Sequence, residues 1–114
     1  MGTHREELYT PYGLSEAAGR IAQWLEAEGK GFKVVEKSAN TVTLRHAMIM
    51  SPDIFFQLRL GEQSVTAECW VGGSVKYAIS PKAVWGAISR RKGWEAFQSL
   101  KKTLTHDVEE GELR

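Results

Sequence analysis

The segment His46-Ala47-Met48-Ile49-Met50 places an imidazole and two thioethers at every second position. On an extended strand that spacing puts all three on one side. Soft sulfur beside imidazole suits a cuprous ion, and Cys69 on a neighbouring strand could add a thiolate. The same residues also serve a plainer purpose, methionines filling irregular gaps in a core around a half-buried histidine. That plainer purpose is the expectation, and no metal or cofactor is assigned. Cys69 and His46 further suggest a thiolate–imidazole pair, which needs an accessible, low-pKa thiol and an orienting third group. Cys69 alternates with Ala67 and Val71, however, which is the setting of a small, inert hydrophobe. The chain has no Gly-x-Ser-x-Gly elbow, phosphate loop or His-Glu-x-x-His pattern, and its acids are scattered. No catalytic residue is assigned, and the expectation is a protein that is not an enzyme.

Two further groups of residues carry possible recognition chemistry. Arg90-Arg91-Lys92-Gly93-Trp94 is the densest basic cluster, and with Lys82 it could attract phosphates while Trp94 stacks on a base. Cations near a helix end also complement the helix dipole, and Trp94 shares a helical stripe with Phe97. The chain carries four tryptophans, a large aromatic load for one core of this size. Trp70 alternates onto the polar side of a strand, where a rigid aromatic suits an interface. Phe56, Tyr77 and Trp85 could instead line a pocket for a small hydrophobic ligand between sheet and helices.

Composition sets the frame for these candidates. A chain of 114 residues with 42% hydrophobic and 25% charged residues reads as a single globular domain. The net charge of +1 is not that of a strong nucleic-acid binder. It is unevenly spread: Lys76 to Lys102 holds seven basic residues against Glu95 alone, and Asp107, Glu109, Glu110 and Glu112 then reverse the sign. One cysteine excludes an intrachain disulfide framework and fits a reducing, cytoplasmic setting. The first residues lack the apolar core of a secretory signal, and no apolar run is long enough to span a membrane.

The elements that must position these residues follow from periodicity. Residues 1–13 read as a flexible leader ending in the turn Pro11-Tyr12-Gly13. Ser15 suits a helix N-cap, and Ala17, Ala18, Ile21, Trp24 and Leu25 mark one helical face over 15–28. Strands of period two follow at 32–37, 41–50, 54–60, 65–71 and 75–79. Gly72-Gly73 suits a tight hairpin between the last two. Ser80-Pro81 opens a helix with Val84, Trp85 and Ile88 on its apolar edge. Gly93 suggests a break, giving two helices over 81–91 and 94–105, and residues 106–114 read as a flexible acidic tail.

The fold expected is α+β: an N-terminal helix, a four- or five-stranded antiparallel meander, and a C-terminal helix or helix pair. The helices pack on one sheet face. The opposite face then presents Arg45, Arg59, Phe55 and Trp70 to a partner. The leading functional expectation is a binding or assembly module that self-associates or binds a protein through this face. Edge strands at 32–37 or 75–79 offer a second route to a dimer. Polyanion binding by Lys82, Arg90, Arg91, Lys92 and Trp94, with nucleic acid possible but not favoured, is the first alternative. A ligand carrier built on Phe56, Tyr77 and Trp85 is the second, and no membrane partner is expected.

Overall fold

The computed structural model describes residues 2–84 and 86–105. Within them run β1 (His4–Tyr9), α1 (Leu14–Ala27), β2 (Phe32–Lys37), β3 (Thr41–His46), β4 (Ile54–Gly61), β5 (Ser64–Gly72), β6 (Lys76–Ala78) and α2 (Ala87–Thr105). The class is α+β. Strands β2 to β5 form an antiparallel meander, and β1 returns to pair with β5, giving the order β1-β5-β4-β3-β2. The short β6 continues the β1 edge, pairing with β5 from Trp70 to Gly72.

Alternation places the core on one side of this sheet. Val42 and Leu44 of β3, Ile54, Phe56, Leu58 and Leu60 of β4, and Val65, Ala67, Cys69 and Val71 of β5 are all buried. They meet Ala17, Ile21 and Trp24 of α1 and Phe97, Leu100 and Leu104 of α2 in one cluster. Trp24 Nε1 donates to Ser99 Oγ at 2.9 Å and ties the two helices together above Phe32 and Phe56. No helix among the described residues is long and apolar enough to cross a membrane.

Several boundaries differ from the sequence reading, each for a local physical reason. The segment read as a leader contains β1, whose inward residues are His4, Glu6 and Leu8, opposite Cys69, Ala67 and Val65. Two polar residues in that row hide the strand signal. They are tolerated because Lys101 donates to Glu6, His4 Nε2 lies 3.0 Å from the same carboxylate, and the His4 ring packs edge-on against Trp94 and Phe97. Strand β3 stops at His46 rather than running to Met50. The amide of Met48 is taken by Asp53 Oδ1 at 3.0 Å, and Met50 turns at a φ of 61° with its side chain 99% exposed. Helix α1 begins one residue before Ser15, on Gly13, with no side-chain cap.

The C-terminal helix is single. Gly93 lies inside it without a break and packs tightly on the layer below: a β-carbon there would stand 2.7 Å from Ile79 Cγ2 and 3.2 Å from Ile54 Cγ2. Val84 and Ile88, read as an apolar edge, are 86% and 69% exposed, since α2 begins only at Ala87 and turns Ser89 and Gly93 inward. Trp85 and the tail 106–114 fall outside the described residues.

Two glycine-to-alanine substitutions separate packing from helix propensity. Gly19 lies in α1 with nothing near its missing β-carbon, so Gly19→Ala is expected to stabilise the fold by about 0.5–1 kcal/mol. Gly93→Ala gains the same propensity but must displace stiff, buried isoleucine methyls, at a cost of about 1–3 kcal/mol. Urea denaturation is expected to show opposite signs, with Gly93→Ala destabilised by roughly 1 kcal/mol. Equal stabilisation by both would refute the close approach.

Candidate functional site

Both helices occupy one face of the sheet, so the other face has no covering layer among the described residues. Its side chains stand in rows that cross the strands. One row runs Lys33, Arg45, Phe55, Trp70, Ala78 from β2 to β6. The Phe55 and Trp70 rings stack with centroids 5.5 Å apart and planes 14° from parallel. Lys76 Nζ lies 4.2 Å from the Trp70 centroid, and Arg45 Cζ lies 5.8 Å from that of Phe55. A cation at either end of an aromatic pair is attracted by the ring quadrupoles. Trp70 is on the open face, as its alternation implies, but this sandwich leaves it only 9% exposed. It acts as framework for the face, while Arg45 remains exposed.

Asp53 anchors this row. Its Oδ2 accepts from Arg45 Nε at 2.8 Å, its Oδ1 accepts the Met48 amide, and its carbonyl accepts the Gly72 amide at 3.0 Å. The backbone amide of Met48 and then the Arg45 guanidinium hold the Asp53 carboxyl below its ordinary value. One residue thereby fixes the β3–β4 connection, the cation beside Phe55 and the end of β5.

The next rows are polar. Glu36, Thr43, Gln57, Glu68 and Arg5 cross the sheet in one, and Thr41, Arg59, Thr66 and Glu7 in the other. Thr43 is buried, and its hydroxyl has no hydrogen-bond partner among the described residues. Arg5, Gln57, Arg59, Thr66 and Glu68 surround a recess of about 120 Å³. Thr3 Oγ1 donates to Glu68 at 2.8 Å, whereas Arg5 and Arg59 have no ion-pair partner among the described residues. Two guanidiniums, an amide and a hydroxyl thus share the recess with one carboxylate, Glu68, an excess of donors that can meet a carboxylate. Arg5 is hard to recognise from sequence because its strand is; the alternation of Arg5, Glu7 and Tyr9 against His4, Glu6 and Leu8 is the signal that marks it.

The remaining candidates are dispersed. Arg90 Nε donates to the Ala78 carbonyl at 2.6 Å and Arg91 Nη2 to that of Ala83 at 2.9 Å, so both guanidiniums serve the turn before α2. Trp94 is half-buried against His4, and Lys82 and Lys92 are exposed. Phe56 is fully buried, stacked on Phe32 with centroids 4.8 Å apart, while Tyr77 lies at the exposed β6 edge. Neither lines the recesses of about 90, 120 and 280 Å³ found among the described residues, and Trp85, the third member of that candidate set, lies outside those residues. The recess of about 280 Å³ opens between the end of α1, β3 and α2, lined by Lys30, Phe32, His46, Lys92, Glu95 and Ser99 among others. Ser99 there donates to Glu28 rather than to His46, whose Nδ1 faces the Ala47 carbonyl at 3.1 Å. Cys69 is fully enclosed, and burial, followed by the charges of Glu6 and Glu68, pushes its thiol far up. It stands opposite Phe56, on a strand two removed from His46, and Met50 points into solvent. No group of three or more histidine, cysteine or acidic side chains among the described residues is placed to hold a metal ion.

Comparison with known proteins adds no relative: no family model matches the chain, and no match to it was found among curated proteins or solved structures.

The role given to Asp53 sets a pH dependence. A carboxyl held below its unfolded value contributes stability that is complete above that unfolded value and is lost as pH falls through the folded one. Glu6 acts with the same sign: burial alone would raise it, but Lys101 and His4 outweigh burial and hold it low. Stability measured by urea denaturation is therefore expected to fall below about pH 4. Asp53→Asn should cost about 1–2 kcal/mol at neutral pH and show a shallower acid loss than the parent. An unchanged acid slope in that variant would remove Asp53 from this account.

Proposed function

We propose that this chain is a non-enzymatic protein-binding module that recognises an acidic segment of a partner protein on its uncovered sheet face. The observation that carries this reading is the recess flanked by Arg5 and Arg59. It lies on the sheet face that no helix covers among the described residues, beside the row in which Phe55 stacks on Trp70. A carboxylate entering between the two guanidiniums could be held by charge-assisted, two-point hydrogen bonds, with Gln57 and Thr66 supplying further donors. Glu68 lines the same recess, accepting from Thr3, and disfavours a second anion close by, so the cup selects spaced acidic groups over a dense polyanion. The stacked Phe55–Trp70 pair, stiffened by Arg45 and Lys76, offers a rigid shoulder beside the cup.

A nucleic-acid reading has less support, because two of its cations, Arg90 and Arg91, are already committed to backbone carbonyls.

Titration of the isotope-labelled protein with a glutamate-rich peptide, followed by amide chemical shifts, tests the proposal. Saturable shifts are expected at Arg5, Arg59 and Thr66. Arg59→Glu should weaken binding by about tenfold or more while leaving the spectrum of the folded core intact. Shifts that never saturate, or that gather at Lys82 and Lys92 instead, would overturn it.

A further inference from the structure

We infer that β2 is the seam of a homodimer, in which two copies of this chain join their sheets edge to edge about a two-fold axis between Val34 and Val35. This goes beyond the recognition reading and uses the opposite edge of the sheet. β2 pairs with β3 on one side and has no strand partner on the other among the described residues. Phe32 is buried, but the two valines of the strand are open: Val34 is 47% exposed and Val35 51%. Val34 also borders an apolar groove of about 90 Å³ between the strand and α1, where Ala18, Ile21, Leu25 and Val42 meet it.

Register is what singles out a second copy as the occupant. In a regular strand, Lys33 and Glu36 would face opposite sides of the sheet. Here the register shifts between Val34 and Glu36, so Val35 is an extra residue. Lys33 pairs with Arg45 and Glu36 with Thr43, both on the open face, while Val34 pairs with Leu44 and Lys37 with Val42 on the helix face. An antiparallel copy can therefore place Lys33 opposite Glu36 of the second copy, Val34 opposite its Val35, and Phe32 opposite its Lys37. Both ion pairs then form on the open face, and the valines meet at the axis. Moving the register by one residue sets Lys33 against Lys37 of the second copy, or Phe32 against its Glu36, and mismatches the faces. Lys33 and Glu36 have no ion-pair partner within the chain among the described residues, so both are available. Bulges and lysines can also serve to keep an edge unpaired, in which case the chain is a monomer in solution. The coincidence of bulge, charge order and exposed valines in one register favours the seam.

Sedimentation equilibrium of the full chain separates the two outcomes. A concentration-dependent dimer is expected. Lys33→Glu and Glu36→Lys, each setting like charges opposite one another twice, should each raise the dissociation constant by about tenfold or more. The double charge swap should restore it to within about threefold of the parent. Both side chains are exposed, and far-ultraviolet circular dichroism checks that each variant folds. A monomer up to about 0.2 mM, a dimer indifferent to either single reversal, or a double swap that fails to rescue would each overturn the seam.

Discussion

One-sided burial governs this molecule. A twisted antiparallel sheet can bury one face under helices and leave the other to water, provided its strands alternate strictly between apolar and polar residues. Here β4 and β5 meet that condition along nearly their whole length, both helices bury their apolar stripes on that one side, and the Trp24–Ser99 hydrogen bond links them there. The consequence for the other face is specific. Its residues have no helix layer to order them, so they draw on each other, across the strands. Phe55 on Trp70, Lys76 over Trp70 and Arg45 on Asp53 are contacts of that kind, each tying neighbouring strands or a strand and its loop. Side chains already held against one another in this row have less freedom to lose when a partner arrives, which lowers the entropy cost of binding.

Much of this arrangement can be read from the chain, because period two with large apolar residues has few other meanings. The meander, the single-sided core and the membership of the open face all follow from alternation over residues 32–71. Where the structure departs from local pattern, a side chain replaces the backbone or a hydrophobe in its usual task. Met48 and Met50 continue the alternation of β3 in sequence, yet the Asp53 carboxylate captures the Met48 amide and ends the ladder. His4 and Glu6 occupy core-facing positions without looking apolar, because Lys101 and the rings of Trp94 and Phe97 satisfy them. Gly93 resembles a helix terminator, but its missing side chain is what lets α2 lie against Ile54 and Ile79. Each of these depends on a residue distant in sequence. Local pattern carries no trace of it.

The candidate site divides along the same line. Arg59, Arg45, Phe55 and Trp70 are legible because they alternate with buried neighbours on strands of strong signal. Their neighbour Arg5 is not, since it sits on the one strand whose inward row is mostly polar. The exposure of Trp70 is equally beyond sequence: alternation fixes the face on which a side chain stands, and only the neighbours on that face decide whether water reaches it. Stacking on Phe55 and the overlying Lys76 turned an expected contact residue into a support for the residues around it.

The recess and the β2 edge lie toward opposite sides of the same sheet. Strands in a sheet are spaced by about 4.8 Å, and the Arg5–Arg59 recess is centred near β5, three strands in from β2. Joining two copies along β2 would therefore set their recesses roughly 30–35 Å apart on one continuous face, before sheet twist. A single short acidic segment could not reach both. A partner carrying two such segments on a chain of about ten or more extended residues could, and its second contact would form at a high effective concentration. Weak recognition of one carboxylate cluster by each recess would then become tight and selective only when both are engaged. Edge pairing and face recognition would thus act together, the seam setting the distance that a bivalent partner must match.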